Sequence, residues 1–218
     1  QWKKGKTPII VGGTGLYFKA LTDGLVEIPN IPNKTRVHIR NLHKKIGQKN
    51  FYNELVTLDP LAKKFVLPTD SQRSMRAYEV KKFTKKSLFS FTKNTKSSFT
   101  NDVFKKLFIN TPRELLHKNI ENRVEKMIKE GAIRETKKFY NMKINKELSS
   151  NKIIGLKEIK DYLDGKISLI DAKELIAQKT RQYAKRQFTW ARGHMKSWDM
   201  IYSANINDLF KKATNKIF

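Results

Sequence analysis

The stretch "TRQYAKRQFTWAR" (180–192) carries the densest chemistry in the chain. On a helix, Arg181, Lys185 and Arg192 share one face, with Phe188 and Thr189 between them. Ile176, Tyr183 and Trp190 fall on another side and are expected to pack inward. No acidic residue occurs from Gln178 to Met195, whereas a solvated helix face mixes both signs. A basic face interleaved with hydroxyl and aromatic groups suits phosphates and unstacked bases. The plainer reading is a solvated charged face, and the missing acids weigh against it.

Working outward, "PIIVGGTGLYFKALTDGL" (8–25) reads as a buried central strand over 8–13, then a helix over 15–25 that stops near Gly24. The glycines suggest a phosphate cradle, but the P-loop pattern G-x-x-x-x-G-K-S/T is not met, because Gly15 is followed by Leu16 and Tyr17. The dinucleotide spacing G-x-G-x-x-G fails too. What remains is a turn that lets backbone approach something closely and presents Thr14, or a strand-to-helix turn with no ligand. In "DSQRSMRAYEV" (70–80), Asp70 is a good helix cap, and Gln72, Arg73 and Arg76 occupy the turns that follow. A helix start with two guanidiniums can hold an anion or a base edge. The alternative is pairing within the helix, for example of Arg76 with Glu79.

The remaining chain reads mainly as helices. "EIPNIPNK" (27–34) is extended, because its prolines disfavour helix. "KTRVHIRNLHKKIG" (34–47) turns Val37, Ile39, Leu42 and Ile46 inward, and a helix pair follows, broken at Asp59-Pro60. Residues 90–101 are rich in Ser, Thr and Asn and read as a loop, and 103–112 alternate like a strand. A helix follows with Thr111 as cap, Pro112 at its first position, Gly131 at its end and a stripe of Leu116, Ile120, Val124 and Met127. After a loop, "IIGLKEIKDYLDG" (153–165) is a short helical segment. The long helix begins at Ser168 with a capping box closed by Asp171. "DMIYS" (199–203) is a last strand and "INDLFKKATNKI" (206–217) a last helix.

The 218 residues suit one sizeable domain, or a domain carrying an insertion. With no Cys there is no disulfide framework, thiolate zinc site or cysteine nucleophile, and the four His show no metal spacing. No apolar run approaches membrane-spanning length. A net charge of +26 attracts polyanions, and counterion release makes a phosphate backbone the natural partner. The excess is strong in residues 31–94, with 15 Lys/Arg against 4 Asp/Glu.

The ordered blocks "PIIVGGTGLYFKALTDGL", "DSQRSMRAYEV", "IIGLKE" and "TRQYAKRQFTWAR" resemble the motifs of bacterial tRNA dimethylallyltransferases, the tRNA isopentenyltransferase family, over nearly the whole chain. The resemblance implies an α/β fold. Its P-loop-kinase-like parallel-sheet core, residues 1–30 and 95–218, lacks its N-terminal part. A mainly helical insertion, residues 31–94, grips the anticodon stem. It implies transfer of a dimethylallyl group from dimethylallyl diphosphate to the N6 amino group of the adenosine 3′ of the anticodon. Flipping out a weakly stacked loop base costs little. Arg181 would bind the donor diphosphate. Thr14, Arg36, Gln72, Arg73, Arg76, Lys152, Gly155, Lys157, Lys185, Arg186, Gln187, Thr189 and Arg192 would face the tRNA anticodon stem-loop. Mg²⁺ would ride on the diphosphate, with no metal ligand in this chain. A cytoplasmic monomer, off the membrane, is expected.

The departures set further expectations. The family's P-loop and its general-base aspartate precede the point where this chain opens, so no catalytic residue is expected here and the chain alone is expected to be inactive. The family's G-Y-K-E reads Gly155-Leu156-Lys157-Glu158, losing an aromatic, and Asn119 stands where an arginine is usual, removing a core ion pair. Two other readings stay open: a non-catalytic basic RNA-binding module, and a small-molecule kinase on the same core.

Overall fold

The computed structural model describes residues 2–91, 95, 97, 99–100, 103–145 and 148–217. They form two compact units, Leu16–Val103 and Gln1–Gly15 with Phe104–Phe218.

The first unit is helical. Helix α1 (Gly15–Asp23) stops where Gly24 turns to φ +90°, a conformation that favours glycine. A stretch without helix or strand leads to α2 (Asn33–Leu58), which Gly47 interrupts with φ 74° and ψ 166°. Asp59-Pro60 ends it, α3 (Ala62–Phe65) is one turn, and α4 (Ser71–Thr84) and α5 (Leu88–Phe91) follow. The core lies between α2 and α4, where Ile39, Phe51, Leu55, Ala77 and Tyr78 are buried. The Phe51 ring tilts on Tyr78 at 5.0 Å and meets His43 edge-on at 5.1 Å. Each large apolar side chain buried here contributes about 1.5–3 kcal/mol. Val37, expected inside, is 46% exposed. It lies two residues from Ile39, more than half a turn around the helix, and Ile39 takes the core position. The expected loop 90–101 gives its first two residues to α5, and much of the rest lies outside the described residues.

The second unit is an α/β arrangement: β1 (Leu107–Asn110), α6 (Arg113–Lys129), α7 (Ala132–Asn141), α8 (Leu156–Leu163), α9 (Leu169–His194), β2 (Asp199–Tyr202) and α10 (Ile206–Ile217). The strands pair in parallel from Leu107 with Asp199 to Asn110 with Tyr202. Parallel strands need a long crossover, here the four helices α6 to α9. Ile120, Val124, Ile159, Ile176 and Ala177 form the core, with Leu116 and Met127 packed against it as the α6 stripe predicts. The Ser168–Asp171 capping box is present: each side chain accepts from the other's backbone N–H at 3.1 Å.

Three expectations fail in this unit. "PIIV" (8–11) is not a strand, and Ile9, Ile10 and Val11 are 70, 61 and 88% exposed. A strand exists only beside a hydrogen-bonding neighbour, and among the described residues the only ladder is β1 with β2. Thr111 does not cap α6. Pro112 takes the cap position with φ −49° and ψ 139° and no side-chain bond, leaving Thr111 one residue too early. Residues 132–141, expected in a loop, form α7. Gly131, at φ 107°, ends α6 and lets the chain restart at once, with Ile133, Thr136 and Tyr140 at helical spacing on the covered side. No helix among the described residues is long and apolar enough to cross a membrane.

Candidate functional site

Helix α9 organises the second unit. Its lower half packs on α6 and α8, and its upper half carries the acid-free stretch. Arg181 is half-buried, and its Nη1 lies 3.4 Å from Glu121 Oε1 on α6. Lys185, Arg186, Thr189 and Arg192 are exposed. Thr189 donates its hydroxyl to the Lys185 carbonyl at 3.0 Å and keeps its acceptor lone pairs. Phe188, expected amid the cations, meets Phe108 of β1 edge-on at 5.4 Å and so seats the helix on the sheet. Tyr183, expected inside, is 42% exposed. Its stripe outruns the cluster around Ile176, and its ring instead supports Arg186, whose Cζ lies 5.7 Å from the ring centre.

The glycine turn sits against the same helix. Gln187 Nε2 donates to the Gly13 carbonyl at 2.9 Å. A Cβ on Gly13 would collide with the Gln187 amide, and one on Gly15 with the six-membered ring of Trp190. Gly15 is therefore required by the rigid Trp190 ring, whereas at Gly13 the end of the Gln187 side chain would have to move away from the carbonyl it bonds. Thr14, between them, is exposed. Trp190 is half-buried as expected and stacks on His194 at 4.4 Å and 7°. Neither Gln187 nor Trp190 was legible as a partner of this turn, because the contact joins residues 174 apart in sequence.

The "IIGLKE" block is an anchor. Gly155 begins α8 at φ 103°, and its N–H donates to Glu158 Oε2 at 2.9 Å. The other Glu158 oxygen accepts from Lys179 of α9. Glu158 is 4% exposed. Burial alone would push its carboxyl up, but the Lys179 ammonium and the N–H groups of Glu158 and Gly155 outweigh burial and hold it below the usual carboxylate range. Leu156, in place of the aromatic, is buried in the unit. Lys152, in the short turn Ser149–Lys152, and Lys157 are exposed, with Lys157 Nζ 3.7 Å from Asp161. Asn119 is exposed on α6.

In the helical unit, Asp70 caps α4 by accepting from the Arg73 N–H at 3.0 Å. Gln48, just past the Gly47 break, donates to the Pro68 carbonyl at 2.7 Å and to Ser74 Oγ at 3.2 Å, tying α2 to the start of α4. Gln72 and Arg73 are exposed, and Arg73 Nη1 lies 3.5 Å from Asp70. Arg76 pairs with Glu79 at 3.3 Å, the within-helix alternative. Arg36 is half-buried, and its Nε is a buried donor without a partner. Asp70→Ala should cost about 1 kcal/mol, the usual value of a helix cap. Chemical denaturation should show this as a lower midpoint with an unchanged slope, and an unchanged midpoint would deny the cap this role.

Among the described residues no three His, Asp or Glu side chains converge as a metal-binding group.

The geometry describes a basic α/β protein whose glycine turn and cationic helix face are held together by packing. An IPP transferase family model matches residues 1–194, and the chain belongs to that family. It is similar to the tRNA dimethylallyltransferase of Pelagibacter ubique, with 50% identity over 96% of this chain and 67% of that protein. It is 44% identical to the tRNA dimethylallyltransferase of Rickettsia typhi over 86% of this chain, and spans 60% of that relative's length. Among solved structures it resembles a eukaryotic dimethylallyltransferase captured acting on tRNA. There the TM-score is 0.75 at 25% identity, covering 99% of this chain and 56% of that one.

Proposed function

We propose that this chain is part of an enzyme that transfers a dimethylallyl group from its diphosphate to the N6 amino group of the adenosine 3′ of a tRNA anticodon. The observation that carries this reading is the Thr14 turn seated on the acid-free stretch of α9. In the reaction the C–O bond to the diphosphate breaks, the diphosphate leaves with the electron pair, a C–N bond forms at N6, and the amino group gives up a proton. Arg181 binds the donor diphosphate and neutralises charge as it leaves. Thr14, Lys185, Arg186, Thr189 and Arg192 face the anticodon loop, and Lys152 and Lys157 touch its flank. We assign no general base among these residues. Residues 31–94 act as the insertion that grips the anticodon stem, with Arg36, Gln72, Arg73 and Arg76 toward the RNA. The local charge excess supports this. Mg²⁺, where required, arrives on the diphosphate, and no step is assigned to it here. The reaction takes place in the cytoplasm, with the protein as a monomer.

The test is binding of this chain to an anticodon stem-loop carrying an A-A-A run, against the same RNA with the central A changed to C, at one salt concentration. A preference of about tenfold or more, about 1.4 kcal/mol, is expected. Equal binding with a steep salt dependence would leave a basic RNA-binding module. Nucleoside triphosphate turnover without RNA would favour a kinase instead.

A further inference from the structure

Glycines beside an apolar run suggest a phosphate cradle, but here each of two glycines is a socket for a side chain of α9. Gln187 fills the space at Gly13 and bonds its carbonyl, and the Trp190 ring fills the space at Gly15. Gln187 and Trp190 are three residues apart, so both reach the turn from one strip of the helix. Trp190 is itself braced by the parallel His194 ring one turn on. Thr14 therefore has both neighbours pinned to one rigid helix, the same helix that carries Arg181.

We propose that Trp190 and Gln187 are positioning residues that lock Thr14 in place against the target adenosine, and that Trp190 thereby sets the enzyme's selectivity for that base. This rests on the prenyl-transfer reading above. A hydroxyl can reject the wrong base only if it cannot shift to meet it, and misplacement of about 1 Å costs up to about 10²-fold in rate. Arg181 contacts Glu121 and not the glycine turn, so loss of the lock should bear on the RNA substrate more than on the donor.

The experiment compares Trp190→Ala, Trp190→Phe and Gly15→Ala with the parent in the full-length protein. For Trp190→Ala, kcat on the A-A-A stem-loop should fall by about 30-fold within that limit, with KM for dimethylallyl diphosphate changed by less than about twofold. Discrimination against the stem-loop with a central C should shrink by about tenfold or more. Trp190→Phe should regain part of both losses, because a smaller ring still fills the socket. Gly15→Ala should reproduce the alanine phenotype from the other side of the contact. A second readout needs no catalysis: amide hydrogen exchange in the helix that starts at the turn, α1 (Gly15–Asp23), should be about tenfold faster in Trp190→Ala, with α6 (Arg113–Lys129), in the same unit as Trp190, as the folding control. Unchanged discrimination, or equal loss on both stem-loops and on the donor KM, would overturn the selectivity role. Unchanged exchange would overturn the lock itself. If the parent protein transfers no prenyl group, the prenyl-transfer reading fails, while exchange still decides whether the lock exists.

Discussion

Arg181→Ala in the full-length protein should lower the turnover of prenyl transfer by about 10²–10³-fold, the loss typical of one preorganised donor at a developing negative charge. Affinity for the anticodon stem-loop should change by less than about threefold, since one cation among many sets the salt-dependent part of RNA binding. The split follows from where the residue sits. Arg181 is the half-buried member of the basic face, and its Nη1 lies 3.4 Å from Glu121 Oε1. Lys185 and Arg192 are exposed and free to follow a backbone, and Arg186 is exposed against the Tyr183 ring. A half-buried guanidinium costs little reorganisation when charge appears on the leaving diphosphate, whereas an exposed lysine stays hydrated. Arg181→Lys keeps the charge without the planar fork, and should recover only part of the rate. Single-turnover kinetics with saturating RNA, alongside equilibrium binding, separates the two quantities. Equal losses in turnover and RNA affinity would remove Arg181 from the donor and place it on the RNA.

The sequence announces what is local and withholds what is distant. Caps and breaks are written in single residues: Asp70, Gly24, Asp59-Pro60 and the Ser168–Asp171 box each ended or began a helix where expected. The stripe of α6 was equally plain, because four apolar residues at helical spacing have one way to be buried. "PIIV" misled because an apolar run says that a segment favours burial, not that a neighbour is present to pair with it. Helix α7 was hidden by its charged residues, since Lys137 and Lys138 break the apolar pattern. At the candidate site the cations of α9 were legible as types. Their division into an Arg181 beside Glu121, a Tyr183-supported Arg186 and the rest was not, because Glu121 and the ring geometry belong to the tertiary structure.

Lys179→Met should destabilise the second unit by about 3 kcal/mol at pH 7, more than Glu158→Gln does. The asymmetry follows from exposure. Glu158 is buried, whereas the Lys179 side chain is 45% exposed. Removing the lysine leaves a carboxylate in the interior with only backbone N–H donors, and uncompensated buried charges of this kind cost about 3–5 kcal/mol. Removing the carboxylate frees an ammonium that can turn to water, and the glutamine can still accept from Gly155, so about 1 kcal/mol is expected. The pH dependence has a definite sign. The folded Glu158 carboxyl lies below its ordinary range, so its stabilising contribution is complete above the unfolded value, about 4.3, and is lost as pH falls through the folded value. In Lys179→Met burial acts without the ammonium, so the carboxyl titrates higher and the buried charge can be neutralised. The deficit of this variant relative to the parent should therefore narrow as pH drops from 7 toward 4. Chemical denaturation at both pH values measures it. A deficit below about 0.5 kcal/mol at pH 7, the range of an ordinary surface substitution, would mean that the pair does not hold α8 to α9. A deficit that stays flat from pH 7 to pH 4 would mean that the Glu158 carboxylate is not what the lysine compensates. The expected result makes the Gly155–Glu158 block a structural anchor for the helix that carries the cations.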